Sequence, residues 1–168
     1  MSDLIVNRVS NSPLQVIDLE DIYQEGTRTL IKITDFLENG TLLREKPFRK
    51  LLKEHNWDVY QDHYVAVYCN DIVLVPQWAT LLIVAHLKSF ATRVVVGKLS
   101  DLETLLYVEK LTVLDLSSYE NGIVMIKGCS NKPVPELALG LLAEKLTPIV
   151  KKLSYGEACS SVPLYKKL

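Results

Sequence analysis

Ile123-Val-Met-Ile-Lys-Gly-Cys-Ser-Asn-Lys-Pro-Val-Pro-Glu-Leu-Ala138 decides the fold. Ile123 to Ile126 is a continuous apolar run of strand length with no polar alternation, the pattern of a strand buried on both faces. Asn121-Gly122 supplies the turn before it. The run enters Gly128-Cys129, and Pro135 then stands where a helix begins, because a first-turn residue has no intrahelical use for its N–H. Ala138, Leu141, Leu142, Leu146 and Ile149 follow at one-face helical spacing. Glu136 in the first turn and Lys151 and Lys152 in the last suit the helix dipole, and Pro148 predicts a kink or an early end.

Working outward, an earlier stretch has the same layout. Tyr64-Val-Ala-Val-Tyr68 runs into Cys69, Pro76 opens a helix carrying Ala79, Leu82, Ile83, Leu87 and Phe90, and Val94-Val-Val-Gly97 is the next strand. Aligned on Pro76 and Pro135, Ala79 meets Ala138, Leu82 meets Leu141, Leu87 meets Leu146 and Gly97 meets Gly156. This predicts an internal strand, Cys-loop, helix, strand repeat over approximately 64–97 and 123–156. Ser100 with Glu103 reads as a capping box that starts a crossover helix running to about Lys110. Leu14-Gln-Val-Ile-Asp18 and Arg28-Thr-Leu-Ile-Lys-Ile33 read as an N-terminal, hairpin-like β pair, and a helix from Pro47 carries Phe48, Leu51, Leu52 and His55. Ser154 to Ala158 reads as the last strand, followed by a short tail. Strands alternating with helices imply βαβ units, so the expectation is a single α/β domain over 1–168 with one mostly parallel sheet flanked by helices.

The 168-residue chain is 48% hydrophobic and 23% charged, the composition of a globular domain rather than a disordered one. Lys plus Arg number 19 against 20 Asp plus Glu, which leaves no basic surplus for a phosphate backbone and argues against nucleic acid. No apolar run reaches the roughly 18 residues of a membrane span. The start Met1-Ser-Asp-Leu-Ile-Val lacks the features of a secretory signal, so a cytoplasmic location is expected and the sequon Asn39-Gly-Thr41 should stay unmodified. Neither the small-molecule substrate nor the oligomeric state is legible.

All three cysteines, Cys69, Cys129 and Cys159, precede a Val-Pro: Val75-Pro76, Val134-Pro135 and Val162-Pro163. An odd count in a reducing compartment argues against structural disulfides. If the strands are parallel in one sheet, all three thiols leave its carboxyl-terminal edge, where open α/β sheets bind ligands. Helix N-termini after Cys69 and Cys129 would favour thiolates, and Gly128 would let the backbone approach closely. Three thiolates and a fourth ligand make a zinc tetrahedron, with Glu157, His55, His63, Asp71 or water as the fourth. An open fourth position implies a metal-assisted hydrolase or lyase, and a protein ligand there implies a structural or interaction module. Three cysteines also suit an iron–sulfur cluster with one accessible iron. An active thiol without metal, and three small buried apolar residues, are the remaining readings.

Other candidates carry less. His86 lies in a largely apolar helix and reads as a core histidine. His63 precedes a strand, at the end opposite the cysteines. Asp18, Glu20 and Asp21 could serve acid–base chemistry, but solvated carboxylates are the commoner outcome.

Ile5-Val-Asn-Arg-Val9, Lys127 to Pro135, and Tyr155-Gly-Glu-Ala-Cys-Ser-Ser-Val-Pro-Leu-Tyr-Lys166 together resemble the bacterial family catalogued as domain of unknown function 2480, found mainly in Bacteroidetes. The resemblance covers nearly the whole chain. It implies cysteines at the positions of Cys69, Cys129 and Cys159, in keeping with a metal, and no particular activity. The family pattern has an acidic residue three after the first cysteine, where this chain has Ile72 and carries Asp71 one place earlier.

Overall fold

The computed structural model describes residues 13–70, 73–128, 131–157 and 160–167. The described strands are β1 (Leu14–Asp18), β2 (Arg28–Lys32), β3 (Tyr64–Tyr68), β4 (Arg93–Val96), β5 (Ile123–Lys127), β6 (Lys152–Tyr155) and β7 (Val162–Lys166). The helices are α1 (Glu45–Glu54), α2 (Gln77–Leu87), α3 (Leu99–Val113) and α4 (Glu136–Leu146). The fold is mixed α/β with mostly parallel strands. Where the sequence reading has one sheet, there are two: β2-β3-β4, all parallel, and β1-β5-β6-β7, parallel but for β7.

The chain divides into two compact units, an internal one of Gln24–Leu106 and a terminal one of Met1–Tyr23 with Tyr107–Leu168. In the internal unit β3 is the central strand, which is why Tyr64 to Val67 are all buried. Val65 and Val67 pack with Ile31, Phe48, Leu52, Ala79, Ile83 and Leu87. Tyr64 and Ala66, on the alternate face, pack with Leu102 and Leu106 at the start of α3. In the terminal unit β5 is central, and Val124 and Ile126 pack with Ala138, Leu142 and Leu146 of α4 and with Leu111. Each large apolar side chain buried this way stabilises its unit by roughly 1.5–3 kcal/mol.

The expected N-terminal β pair does not form. β1 pairs in parallel with β5, and β2 in parallel with β3. The chain leaves β1 through the 3-10 turn Leu19–Ile22 and leaves β2 through the 3-10 turn Ile33–Phe36. Leu19 and Ile33 are both wholly buried, so each strand ends by driving an apolar residue into its core instead of reversing in a hairpin turn.

The capping box is also corrected. Ser100 lies inside α3, the Lys98 N–H donates to Asp101 Oδ2 at 2.7 Å, and Glu103 instead receives Arg28 at 2.7 and 3.2 Å. α4 stops at Leu146, before Pro148, so Ile149 falls outside the helix. Its C-cap, Thr147, donates its N–H to Ala143 O. The supposed tail is β7, an antiparallel edge strand on β6.

At the sequence separation of Pro76 from Pro135, the two units carry matching local geometry. Asn56 accepts the N–H of Asp58, and Asp115 that of Ser117. Asp62 and Asn121 both take positive φ, and their N–H groups donate to Phe90 O and Ile149 O. The Gly97 N–H donates to Val67 O, and that of Gly156 to Ile126 O. Ala79, Ile83 and Leu87 of α2 and Ala138, Leu142 and Leu146 of α4 are the buried residues of their helices. The cysteines do not match at this separation. Cys69 falls opposite Gly128, and Asn70 opposite Cys129.

Candidate functional site

β5 and β6 are parallel neighbours with Ile123 beside Lys152 and Ile126 beside Tyr155, so the chain leaves both strands at one edge of the four-stranded sheet. β1 lies on the other side of β5, with Asp18 the register partner of Lys127. These strand ends bring together Asp18, Glu20, Lys127 and Glu157, all within the terminal unit.

Lys127 is the hub. Its Nζ lies 3.0 Å from Glu157 Oε2 and 3.9 Å from Asp18 Oδ2. The hydrogen bond that Lys127 donates to Glu157 is the main cause that raises its pKa, with attraction from Glu157, Asp18 and Glu20 adding to it. The ammonium therefore stays charged across the neutral range. Asp18 Oδ1 accepts the Glu20 N–H at 3.0 Å and so caps the 3-10 turn. Glu20 in turn accepts the Asn131 N–H at 2.8 Å, which ties the loop after β5 to the turn after β1. Lys132 stands over the Tyr23 ring at 4.5 Å.

Gly128 makes this packing possible. Its φ is +133°, and a Cβ there would meet Leu19 Cβ at 2.8 Å and Leu19 N at 3.3 Å. Only a residue without a side chain lets β5 turn out this close to the buried Leu19.

Cys129, Cys159 and Asp71 lie outside the described residues. The residues that flank the two cysteines, Gly128 and Asn131, and Glu157 and Ser160, are described. The Ser160 N–H donates to Glu157 O at 2.9 Å. Cys69 follows β3, a strand of the other sheet, which corrects the expectation that three cysteines share one edge of one sheet. It is half-buried against the internal core, and its Sγ is 3.5 Å from Asn70 O and 3.8 Å from Val73 O. Among the described residues no three His, Cys, Asp or Glu side chains form a group able to hold a metal.

The histidines are engaged in packing. His55 is the C-cap of α1. Its Nε2 is 3.0 Å from the Tyr60 hydroxyl and its ring lies edge-on to Phe36 and Trp57; burial lowers its pKa. His63 Nδ1 is 3.0 Å from Thr29 Oγ1. His86 stacks on Trp57 at 5.1 Å with the rings nearly parallel. Glu157, the other predicted fourth ligand, is paired with Lys127.

Lys127 and the tie from Glu20 to Asn131 escaped sequence reasoning, since Lys127 read as the end of a strand and Glu20 as a solvated carboxylate. The available signal was positional: both lie one or two residues past the apolar core of a strand, where parallel strands deliver side chains to one edge. A family model described as "Protein of unknown function (DUF2480)" matches residues 3–167, and the chain belongs to that family. No curated protein and no solved structure matches it.

Proposed function

We propose that the carboxyl-terminal edge of the four-stranded sheet binds a divalent metal ion, zinc, through the thiolates of Cys129 and Cys159. One observation carries this: β5 and β6 are adjacent parallel strands whose exits are clasped by the 3.0 Å contact of Lys127 with Glu157, so the two cysteine-bearing loops start side by side. Neighbouring strands lie about 4.8 Å apart, within the span of two sulfurs on one zinc ion.

The electrostatics agree with a cation bound as thiolate. Lys127 is a cation at the base of both loops, which favours ionised sulfur. Asp18, Glu20 and Glu157 outnumber it, leaving the edge net negative. Glu157 is the carboxylate able to exchange Lys127 for the metal, while His55 belongs to the aromatic packing of the internal unit. Cys69, the third sulfur expected from the sequence, follows a strand of the other sheet, and the proposal does not depend on it. A coordination position left to water would make the ion a Lewis acid or a source of hydroxide, the chemistry of a metal-assisted hydrolase or lyase.

The test is elemental analysis of protein purified without added metal. The expected result is about one zinc per chain, lost in Cys129→Ser and in Cys159→Ser, because structural and catalytic zinc alike need their thiolates. Absence of stoichiometric zinc in the wild-type protein would refute the proposal, as would iron with visible absorption.

A further inference from the structure

The internal unit has a polar cavity of about 240 Å³ lined by Lys32, Thr34, Tyr68 and Asn70. Lys32 and Tyr68 are register partners at the carboxyl ends of β2 and β3, and Thr34 and Asn70 follow each by two residues. Four polar side chains therefore converge just beyond the ends of two parallel strands, the position at which open α/β sheets take ligands.

None of the four has a hydrogen-bonded or ion-paired side chain among the described residues. Among the described residues no carboxylate lies within ion-pair reach of Lys32, whereas its counterpart in the terminal unit, Asp18, pairs with Lys127 and caps a turn. Asn70 Oδ1 is buried and has no hydrogen-bond partner among the described residues. Burying such an acceptor unsatisfied is costly, so its retention calls for a donor that the described residues do not supply.

We propose that this cavity binds a small 2-hydroxy- or 2-amino-carboxylate. The carboxylate of the ligand meets the Lys32 ammonium and accepts from the Thr34 and Tyr68 hydroxyls, and its hydroxyl or amino group donates to Asn70 Oδ1. The volume falls below the range of about 300–1,000 Å³ usual for drug-sized ligands, which restricts the occupant to a few heavy atoms. The cavity is confined to the internal unit, so this inference stands apart from the metal proposal.

The experiment is an NMR titration of the full chain, following the backbone amides of Thr34, Tyr68 and Asn70 with glycolate, glycine, acetate and inorganic phosphate as probes. Glycolate or glycine should shift these amides, with acetate at least about tenfold weaker because it leaves Asn70 unanswered. Lys32→Met should weaken glycolate by a similar factor. Asn70→Leu should bring glycolate and acetate to equal affinity, and Tyr68→Phe, which keeps the shape, should weaken both. Equal binding of glycolate, glycine and acetate to the wild-type protein would overturn the inference. So would phosphate binding as tightly as glycolate, or no shift with any probe up to about 50 mM, far above a dissociation constant of about 1 mM. Unchanged melting of the variants shows that lost binding is not lost folding.

Discussion

Replacing Glu103 with Ala should unfold the internal unit more readily than any surface substitution. Arg28 grips Glu103 at 2.7 and 3.2 Å, the two side chains are only 12% and 10% exposed, and Arg28 also donates to Gly26 O at 2.8 Å and covers the Tyr64 ring at 5.1 Å. Glu103→Ala removes the bidentate carboxylate from that largely buried guanidinium. Breaking a buried pair from one side costs about 3–5 kcal/mol, and the residual exposure argues for the lower end, about 3 kcal/mol. With a urea dependence near 2 kcal/mol/M, the unfolding midpoint should fall by about 1.5 M. Both tryptophans, Trp57 and Trp78, lie in the internal unit, so their fluorescence reports its unfolding directly. Arg28→Met with Glu103→Leu should recover most of the loss, because two apolar side chains remove both desolvation costs together. A capping role for Glu103 would behave differently: Glu103→Gln would be nearly silent, and Glu103→Ala would cost about 1 kcal/mol. Loss below that level, or a double variant no better than Glu103→Ala, would refute the buried-pair account.

Three further outcomes follow from particular contacts. Gly128→Ala should destabilise the terminal unit by about 2 kcal/mol or more through strain at positive φ and contact with Leu19. Gly140→Ala, in α4 with nothing within 4 Å of the added methyl, should stabilise it by about 0.5–1 kcal/mol, and thermal melts of the two variants decide. His55 has its pKa lowered below the ordinary 6.5 by burial, so the unfolded chain takes its proton first as the pH falls. The stability it contributes is complete above pH 6.5 and is lost on acidification through its lowered folded pKa, and His55→Gln should flatten the dependence of the urea midpoint on pH over that window. A strong chelator should strip the proposed zinc and lower the melting temperature, since binding to the folded state alone adds to stability.

The sequence was most legible where hydrophobic period alone sets the structure. β1 and β3 stand at the limits their apolar patterns predict, and α2 and α4 start immediately after their prolines, which are the N-caps. Pairing was not legible. β1 and β2 each have a strand pattern, and nothing local says that their partners are β5 and β3, far along the chain, rather than each other. Glu103 shows the same limit: Ser100-x-x-Glu103 satisfies a local capping rule, yet the tertiary partner Arg28 offers a bidentate contact at low exposure and prevails. The Val-Pro after each cysteine stands at the starts of α2 and α4 and within β7.

The two strand-end sites differ in charge more than in scaffold. Asp18 and Glu20 of the terminal unit stand where the internal unit has Lys32 and Thr34, after strands that pair in the same sense with their central neighbours. Lys127 stands opposite Tyr68, and Glu157 opposite Lys98, at the separation of Pro135 from Pro76. One edge thus presents three carboxylates around a single ammonium, and the other an ammonium beside two hydroxyls and an amide. Since matching turns and helix starts hold both edges, the two ligands proposed above, a cation at the first and a small anion at the second, differ in line with side-chain charge. Substitutions that invert one edge, such as Lys32→Asp, should then abolish the proposed anion binding there while leaving the zinc content proposed for Cys129 and Cys159 untouched. A single variant that removed both ligands would show the two edges to be one site.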